Sequence, residues 1–359
     1  MEILIFSWVK LNKKNVDLCI CLKNLIMSHK TNISLIFVFS IFLIFGCKEK
    51  TDNYKKVLGA QQWEYFGQIL PGDSPEVFSP NMMSTSKNER DFAITPKGSE
   101  MYYTLMYPDG KKGVILFMHF DGYFWAEPLV APFSGQYSDM EPAFSPDGKR
   151  LFFVSNRPLS GTGAKSADYN IWYVNRENGR WSLPRSAGAN INTKNNEFYP
   201  SISEDGTLFF TASREGSKGK EDIYCSKWVN GEFEEPVNLG EAINSDNNEF
   251  NAFIAPDKSY LLFSSFGRDD GFGGGDLYIS HRINDTTWGK AKNLGAAVNS
   301  PHLDYCPCVS PDGKYLFFSS NRINSSFNNN DGKNYKTLKK FMEGVENGLG
   351  NIYWMEMPK

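Results

Sequence analysis

The sequence predicts an all-β chain, a β-propeller of four-stranded antiparallel blades. The count favours five blades, with six kept as the alternative. Three observations lead there. A turn signature recurs with its third residue at 97, 147, 205, 257 and 312, a period of 50 to 58 residues. Every copy is followed by a run rich in aromatic and β-branched residues, the composition of half-buried strands. With 31 glycines, 18 prolines and 15% aromatic residues in 359, the chain has the punctuation and the apolar mass for many short strands around one core.

The five turns read Thr95-Pro96-Lys97-Gly98, Ser145-Pro146-Asp147-Gly148, Ser203-Glu204-Asp205-Gly206, Ala255-Pro256-Asp257-Lys258 and Ser310-Pro311-Asp312-Gly313. The strands after them are MYYTLM, LFFVS, LFFTAS, YLLFSS and YLFFSS, and a loop then leads to VILFMHF, NIWYVN, DIYCSKW, DLYISHR and NIYWMEM. Strand, Asp-Gly turn, strand, loop, strand, turn and short outer strand make one blade. The fifth copy stops after its third strand. Pro75-Glu76-Val77-Phe78, followed by Ser84 and Glu89, has nearly the spacing of Pro236–Leu239, Asn244 and Glu249. This N-terminal piece is therefore expected to supply the missing outer strand and close the ring, which removes an open edge. In the six-bladed alternative, Trp63–Ile69 belongs to a degenerate extra unit.

The order SPDGK, LFF, SNR, then Asn-Ile-Trp-Tyr or Asn-Ile-Tyr, complete at Ser145–Tyr173 and Ser310–Tyr353, resembles the TolB-type, WD40-like β-propeller repeat. The resemblance covers roughly residues 75–357. The first copy departs from it with Lys97 at the turn, and the fourth with Lys258 in place of glycine. It implies a docking platform of the bacterial envelope for proteins; the expected partner is an envelope protein or a glycan.

A net charge of -3 gives no basic field for a phosphate backbone, so nucleic acid is excluded as the main partner. Ile33–Gly46 is an uncharged 14-residue run after His29 and Lys30, short for a membrane span but suited to a signal peptide. It ends at Cys47 and resembles a bacterial lipobox. The expected layout is translation from Met27, leaving 1–26 as a non-translated extension, a lipoprotein signal peptide at 27–46, lipidation at Cys47, a polar tether at 47–62 and a single propeller over 63–359. The expected location is the cell envelope, on the outer membrane, with periplasmic and surface faces both open.

Eight residues before each turn position stands a carboxylate: Glu89, Asp139, Glu197, Glu249 and Asp304. First strands of blades line the axis, so these acids are expected as a ring near one channel mouth. Such a ring could bind a cation or sugar hydroxyls, its members raising each other's pKa. The favoured reading is structural, with each acid held by backbone amides or by an arginine of the neighbouring blade. Arg157, Arg214, Arg268 and Arg322 recur after the second strand and suit that role. Asp91 and Glu141 are the acids that break the repeat at their position, a candidate catalytic pair of the kind used in glycoside hydrolysis.

Six cysteines without a CxxC pair, and four histidines, predict neither a metal site nor a cofactor. Cys306 and Cys308 are read as small buried residues on one strand face, and His119 as a packed residue. The loop Asp269–Asp276, rich in glycine, leads into a strand, lacks phosphate- and calcium-binding geometry, and is read as a flexible connection. In the rim insertion 323–350, Leu338, Phe341, Met342 and Val345 follow helical spacing opposite Lys336, Lys339, Lys340 and Glu343. A short amphipathic helix is expected there, covering a blade edge or serving as a lid.

Overall fold

A computed structural model describes residues 64–160, 163–327 and 331–359. The signal segment, Cys47, the tether and Trp63 lie outside the described residues. Those described form five antiparallel sheets of four or five strands, the five blades, and one two-stranded hairpin, Trp228–Val229 with Glu232–Phe233. The innermost strands are Asn88–Ile94, Asp139–Phe144, Glu197–Ile202, Asn248–Ile254 and Asp304–Val309, and neighbouring ones abut around the axis. The five turns at 97, 147, 205, 257 and 312 join first to second strands on one face of the ring, here the turn face. The acid ends of the inner strands mark the opposite face.

The chain closes on itself as expected. Glu76–Val77 pairs antiparallel with Asn351–Glu356, Glu76 opposite Trp354 and Val77 opposite Tyr353, and the Phe78 amide donates to the Ile352 carbonyl at 2.8 Å. Two strand residues make a weak latch by hydrogen bonding alone. The clasp is aromatic: Phe78, fully buried, lies 5.1 Å from both Phe317 and Trp354 and 5.4 Å from Phe92 by ring centroid. Glu64–Gly67 is a 3-10 turn whose Tyr65 ring packs on Tyr315 and Trp354. It adds a lid to the fifth blade and not a sixth, so five is the count.

Every inner strand carries the same irregularity. Its register with the second strand shifts between Arg90 and Ala93, Met140 and Ala143, Phe198 and Ser201, Phe250 and Phe253, and Tyr305 and Cys308. At each shift sits a residue of positive φ, between 47° and 62°: Asp91, Glu141, Tyr199, Asn251 and Cys306. None is glycine, although left-handed backbone costs other residues about 1–3 kcal/mol. A bulge turns the strand and reverses which face the following residues occupy. Strict alternation, read from the sequence, therefore holds only up to the bulge. Three strands continue with proline, at 142, 200 and 307, tolerated because the ladder is already broken there.

The glycine-rich loop before Leu277 is packed closely. A Cβ on Gly273 would lie 2.3 Å from the carbonyl carbon of Pro301, and Gly275 bridges to Leu303 of the next blade. Gly219 presses likewise on the Asn247 carbonyl, and Gly350 on Asn88. These glycines permit close approach of neighbouring blades, so the reading of Asp269–Asp276 as merely flexible is corrected. The rim helix forms at Tyr335–Met342, its N-terminus capped by Asn334 Oδ1, which accepts from the amides of Lys336 and Thr337 at 3.0 and 3.2 Å. Phe341 stacks on Phe327 at 3.9 Å, and no residue of the helix is buried.

Phe78→Ala removes the centre of the aromatic clasp and is expected to destabilise the protein by about 3–5 kcal/mol. Urea unfolding measures it. A loss below about 1 kcal/mol would show that closure does not depend on this ring.

Candidate functional site

The bulge residues converge on the axis and decide what occupies it. A bulge leaves an N–H without its ladder partner, and a buried N–H must find another acceptor. The Asp91 amide donates to Ser319 Oγ of the fifth blade (3.1 Å), the Glu141 amide to Thr104 Oγ1 of the first (3.1 Å), and the Asn251 amide to Thr211 Oγ1 of the third (3.1 Å). Each acceptor lies in the second strand of the preceding blade. The second blade has Val154 at that position, with no hydroxyl to offer. The Tyr199 amide donates instead to Glu141 Oε2 at 2.7 Å.

The other oxygen of Glu141 accepts from Arg90 Nη2 at 2.9 Å, while Arg90 Nε donates to Asp91 Oδ1 at 2.7 Å. The guanidinium also lies over the Tyr305 ring, 4.9 Å from its centroid. Cys306 Sγ is 2.8 Å from Asp91 Oδ1, and Tyr199 Oη donates to the Pro307 carbonyl at 2.9 Å. Together these groups close the axis. The side chains of Asp91 and Glu141 are 0% and 4% exposed. Asp91 Oδ2 is buried without a hydrogen-bond partner. Burial, reinforced by Asp91, pushes Glu141 up to about 8 against the pull of Arg90. The structure thus brings the two off-repeat acids together, with a cation between them that the sequence reading overlooked. Arg90 stands where the other copies have Met140, Phe198, Phe250 and Tyr305, and that departure was its only signal.

The five repeated carboxylates are all buried, their oxygens turned into loops and blades and away from an open mouth. Glu89, Glu197, Glu249 and Asp304 each accept from the amide and the hydroxyl of the residue four before, Thr85, Thr193, Ser245 and Ser300. Asp139 accepts from Ser134 Oγ and the Gly135 amide. Arg157, Arg268 and Arg322 bind Asp139, Glu249 and Asp304 at 2.8, 2.9 and 2.9 Å. Each pair lies within one blade, where a partner from the neighbouring blade was expected. Arg214 bonds the carbonyls of Asn190 and Ile191 and pairs with Glu235, leaving Glu197 without a direct cation. Burial raises Glu197 to about 7. The arginines also lie over blade aromatics, Arg268 4.8 Å from the centroid of Tyr278 and Arg322 5.1 Å from Tyr353, in cation–π contact.

On the turn face, below the closed axis, opens a funnel of about 310 Å³. All five blades line it, through residues such as Ile94, Pro142, Phe144, Pro200, Phe253 and Val309. The bulge separates the two thiols assigned to one strand face: Cys306 is fully buried on the axis, while Cys308 lines the funnel. His119 is exposed at the end of its strand. Among the described residues no group of three histidine, cysteine or acidic side chains could hold a metal ion.

No family model and no curated protein matches the sequence. Solved structures do. A complex of BT0996 with RGII is similar over 84% of this protein and 99% of the matched one, at 10% identity and a TM-score of 0.51. TolB from Acinetobacter baumannii is similar over 76% of this chain at 16% identity and a TM-score of 0.45, and the chain spans 58% of that protein's length. An α-L-arabinofuranosidase from Lactobacillus brevis is similar over 69% of this chain and 87% of its own, at 12% identity and a TM-score of 0.44. The five-bladed β-propeller expected from the repeats is the fold observed.

Two outcomes follow. Arg90→Ala strands two buried acids and is expected to cost about 3–5 kcal/mol in urea unfolding. Adding Asp91→Asn and Glu141→Gln should restore part of that loss, and a neutral Arg90→Ala would contradict the axial ion cluster. Glu197 titrates near 7 in the folded chain against 4.5 unfolded. The folded state then binds the extra proton, so the stabilisation is full below about pH 4.5 and lost as pH rises through about 7. Glu197→Gln should flatten the melting temperature between pH 5 and 8, and an unaltered pH profile would contradict the assignment.

Proposed function

We propose that the chain is a non-catalytic binding scaffold of the bacterial cell envelope, held to a membrane by lipid at Cys47, that takes a protein partner at its turn face. The observation behind this reading is the contrast along the axis. The paired acids are bound to Arg90 and to a backbone amide, whereas the turn-face funnel is open and apolar. A carboxylate that must donate a proton or attack a sugar has to reach the substrate. Both oxygens of Glu141 and Oδ1 of Asp91 are bound to protein groups, and Asp91 Oδ2 is buried. A funnel walled by proline and phenylalanine suits an inserted apolar side chain from a loop or tail, the usual anchor of a protein interface.

The alternative is a carbohydrate-active enzyme, a glycoside hydrolase or lyase, using Asp91 and Glu141. The similarity to an arabinofuranosidase is one of fold, and fold alone does not assign chemistry. The raised proton affinity of Glu141 is what a general acid needs, but its oxygens are already accepting from Arg90 and Tyr199.

The lipid anchor predicts that Cys47→Ser moves the protein from the membrane to the soluble fraction on cell fractionation, and retention in the membrane would refute the anchor. The docking reading predicts a discrete protein adduct when a photo-cross-linking amino acid is placed at Ser145 in intact cells, lost on Phe253→Asp. No adduct, or one indifferent to Phe253→Asp, would overturn it. Asp91→Asn and Glu141→Gln should leave the adduct unchanged. Hydrolysis of a glycan that both substitutions abolish without loss of stability would establish the enzyme reading instead.

A further inference from the structure

On the face opposite the funnel, where blades 2, 3 and 4 meet, the loops enclose a polar bowl of about 600 Å³, within the size range of small-molecule sites, about 300–1,000 Å³. Its wall includes Asp168 from the loop before the third strand of blade 2, Lys194 and Asn196 from the entry to blade 3, Lys220 and Glu221 before the third strand of blade 3, and Asn248 at the start of blade 4. Some of these groups are already committed. Asp168 accepts from Ser166 and Asn170, and Asn196 Oδ1 accepts the Tyr169 amide at 2.9 Å.

The others are idle. Among the described residues, the side chains of Lys194, Lys220 and Glu221 have no hydrogen bond or ion pair, and the amide nitrogen of Asn196 has no acceptor. Glu221 is half-buried, and burial raises its carboxyl. It contrasts with the buried acids of the ring, which are all hydrogen-bonded within the protein. The Glu221 oxygens still reach solvent, so this carboxylate is open to an incoming donor. Two lysines line the same recess without pairing to it, so cations, an anion and neutral amides all remain available.

We propose that this bowl binds an acidic sugar unit of a glycan. The two lysines take the sugar carboxylate, and Glu221 with the Asn196 and Asn248 amides takes ring hydroxyls, which donate to the one and accept from the others. Inorganic phosphate could pair with the lysines but offers no array of hydroxyls for Glu221 and the two amides. A neutral sugar would leave both lysines unpaired. The site lies on the opposite face from the protein-docking funnel and stands independently of that reading.

The test is calorimetric titration of the full-length protein in detergent with cellobiuronic acid, with cellobiose as its neutral counterpart and inorganic phosphate as an anion control. The expected result is saturable binding of cellobiuronic acid, at least about tenfold tighter than either control. Lys194→Ala combined with Lys220→Ala should weaken it at least about tenfold, Glu221→Gln should weaken it also, and Lys149→Ala on the turn face should not. Melting temperatures of the variants would confirm that they fold. Absence of saturable binding, equal affinity for cellobiose or phosphate, or an equal effect of Lys149→Ala would each overturn the proposal.

Discussion

A buried N–H that has lost its ladder partner is the constraint on which the centre of this ring depends. Each inner strand is bulged at the same place, so the problem arises once per blade in the most enclosed part of the molecule. Water is excluded there, and an unsatisfied amide costs far more than a typical hydrogen bond returns. Hydroxyls of the second strand meet the need at Asp91, Glu141 and Asn251. Val154 cannot, and the acid at 141 fills that gap. A buried acid in turn needs a cation, which Arg90 provides while also neutralising Asp91. The ion cluster on the axis is thus tied to the hydroxyl missing at Val154, while in the fourth blade Ser264 Oγ is present and takes no hydrogen bond.

The acid ends of the inner strands solve a related problem at the loops. Four strand-entry carboxylates gather the amide and hydroxyl of one loop residue, Asp139 takes them from Ser134 and Gly135, and in three blades an arginine from the same sheet binds both that acid and a loop carbonyl. Buried ion pairs repay their desolvation only when the remaining donors and acceptors are also satisfied, and the serines and threonines do that here. Three asparagines fix the same loops from the other side. Asn192, Asn244 and Asn299 each accept from and donate to one backbone position of the third strand, Ile171, Ile223 and Leu277. Repetition of these clamps marks them as architecture.

With the axis closed, the two faces of the ring are chemically separate. The turn face offers proline and aromatic surface gathered from all five blades. The acid face offers charged and amide groups supplied by loops of unequal length, which differ from blade to blade and so escape the repeat. The rim helix belongs to that face through Asn347, which donates to the Ser86 carbonyl. Its apolar side is only partly covered.

The sequence by itself determined the five-fold repeat, the four-stranded blade, the closing strand at Glu76–Val77 and the short rim helix. These rest on local signals: turn chemistry, alternation and helical spacing within a few residues. It also located the acids and arginines that make the clamps. Only the tertiary structure decided what those residues face. The bulges change strand parity after Asp91, Glu141, Tyr199, Asn251 and Cys306, so simple alternation assigned Cys306 and Cys308 to one face. The pairing of arginine with acid inside one blade, the capture of the Tyr199 amide by Glu141, and the seating of Arg90 between two carboxylates join residues from different strands. Such contacts are set by how blades stack around an axis, and no spacing along a single strand encodes them.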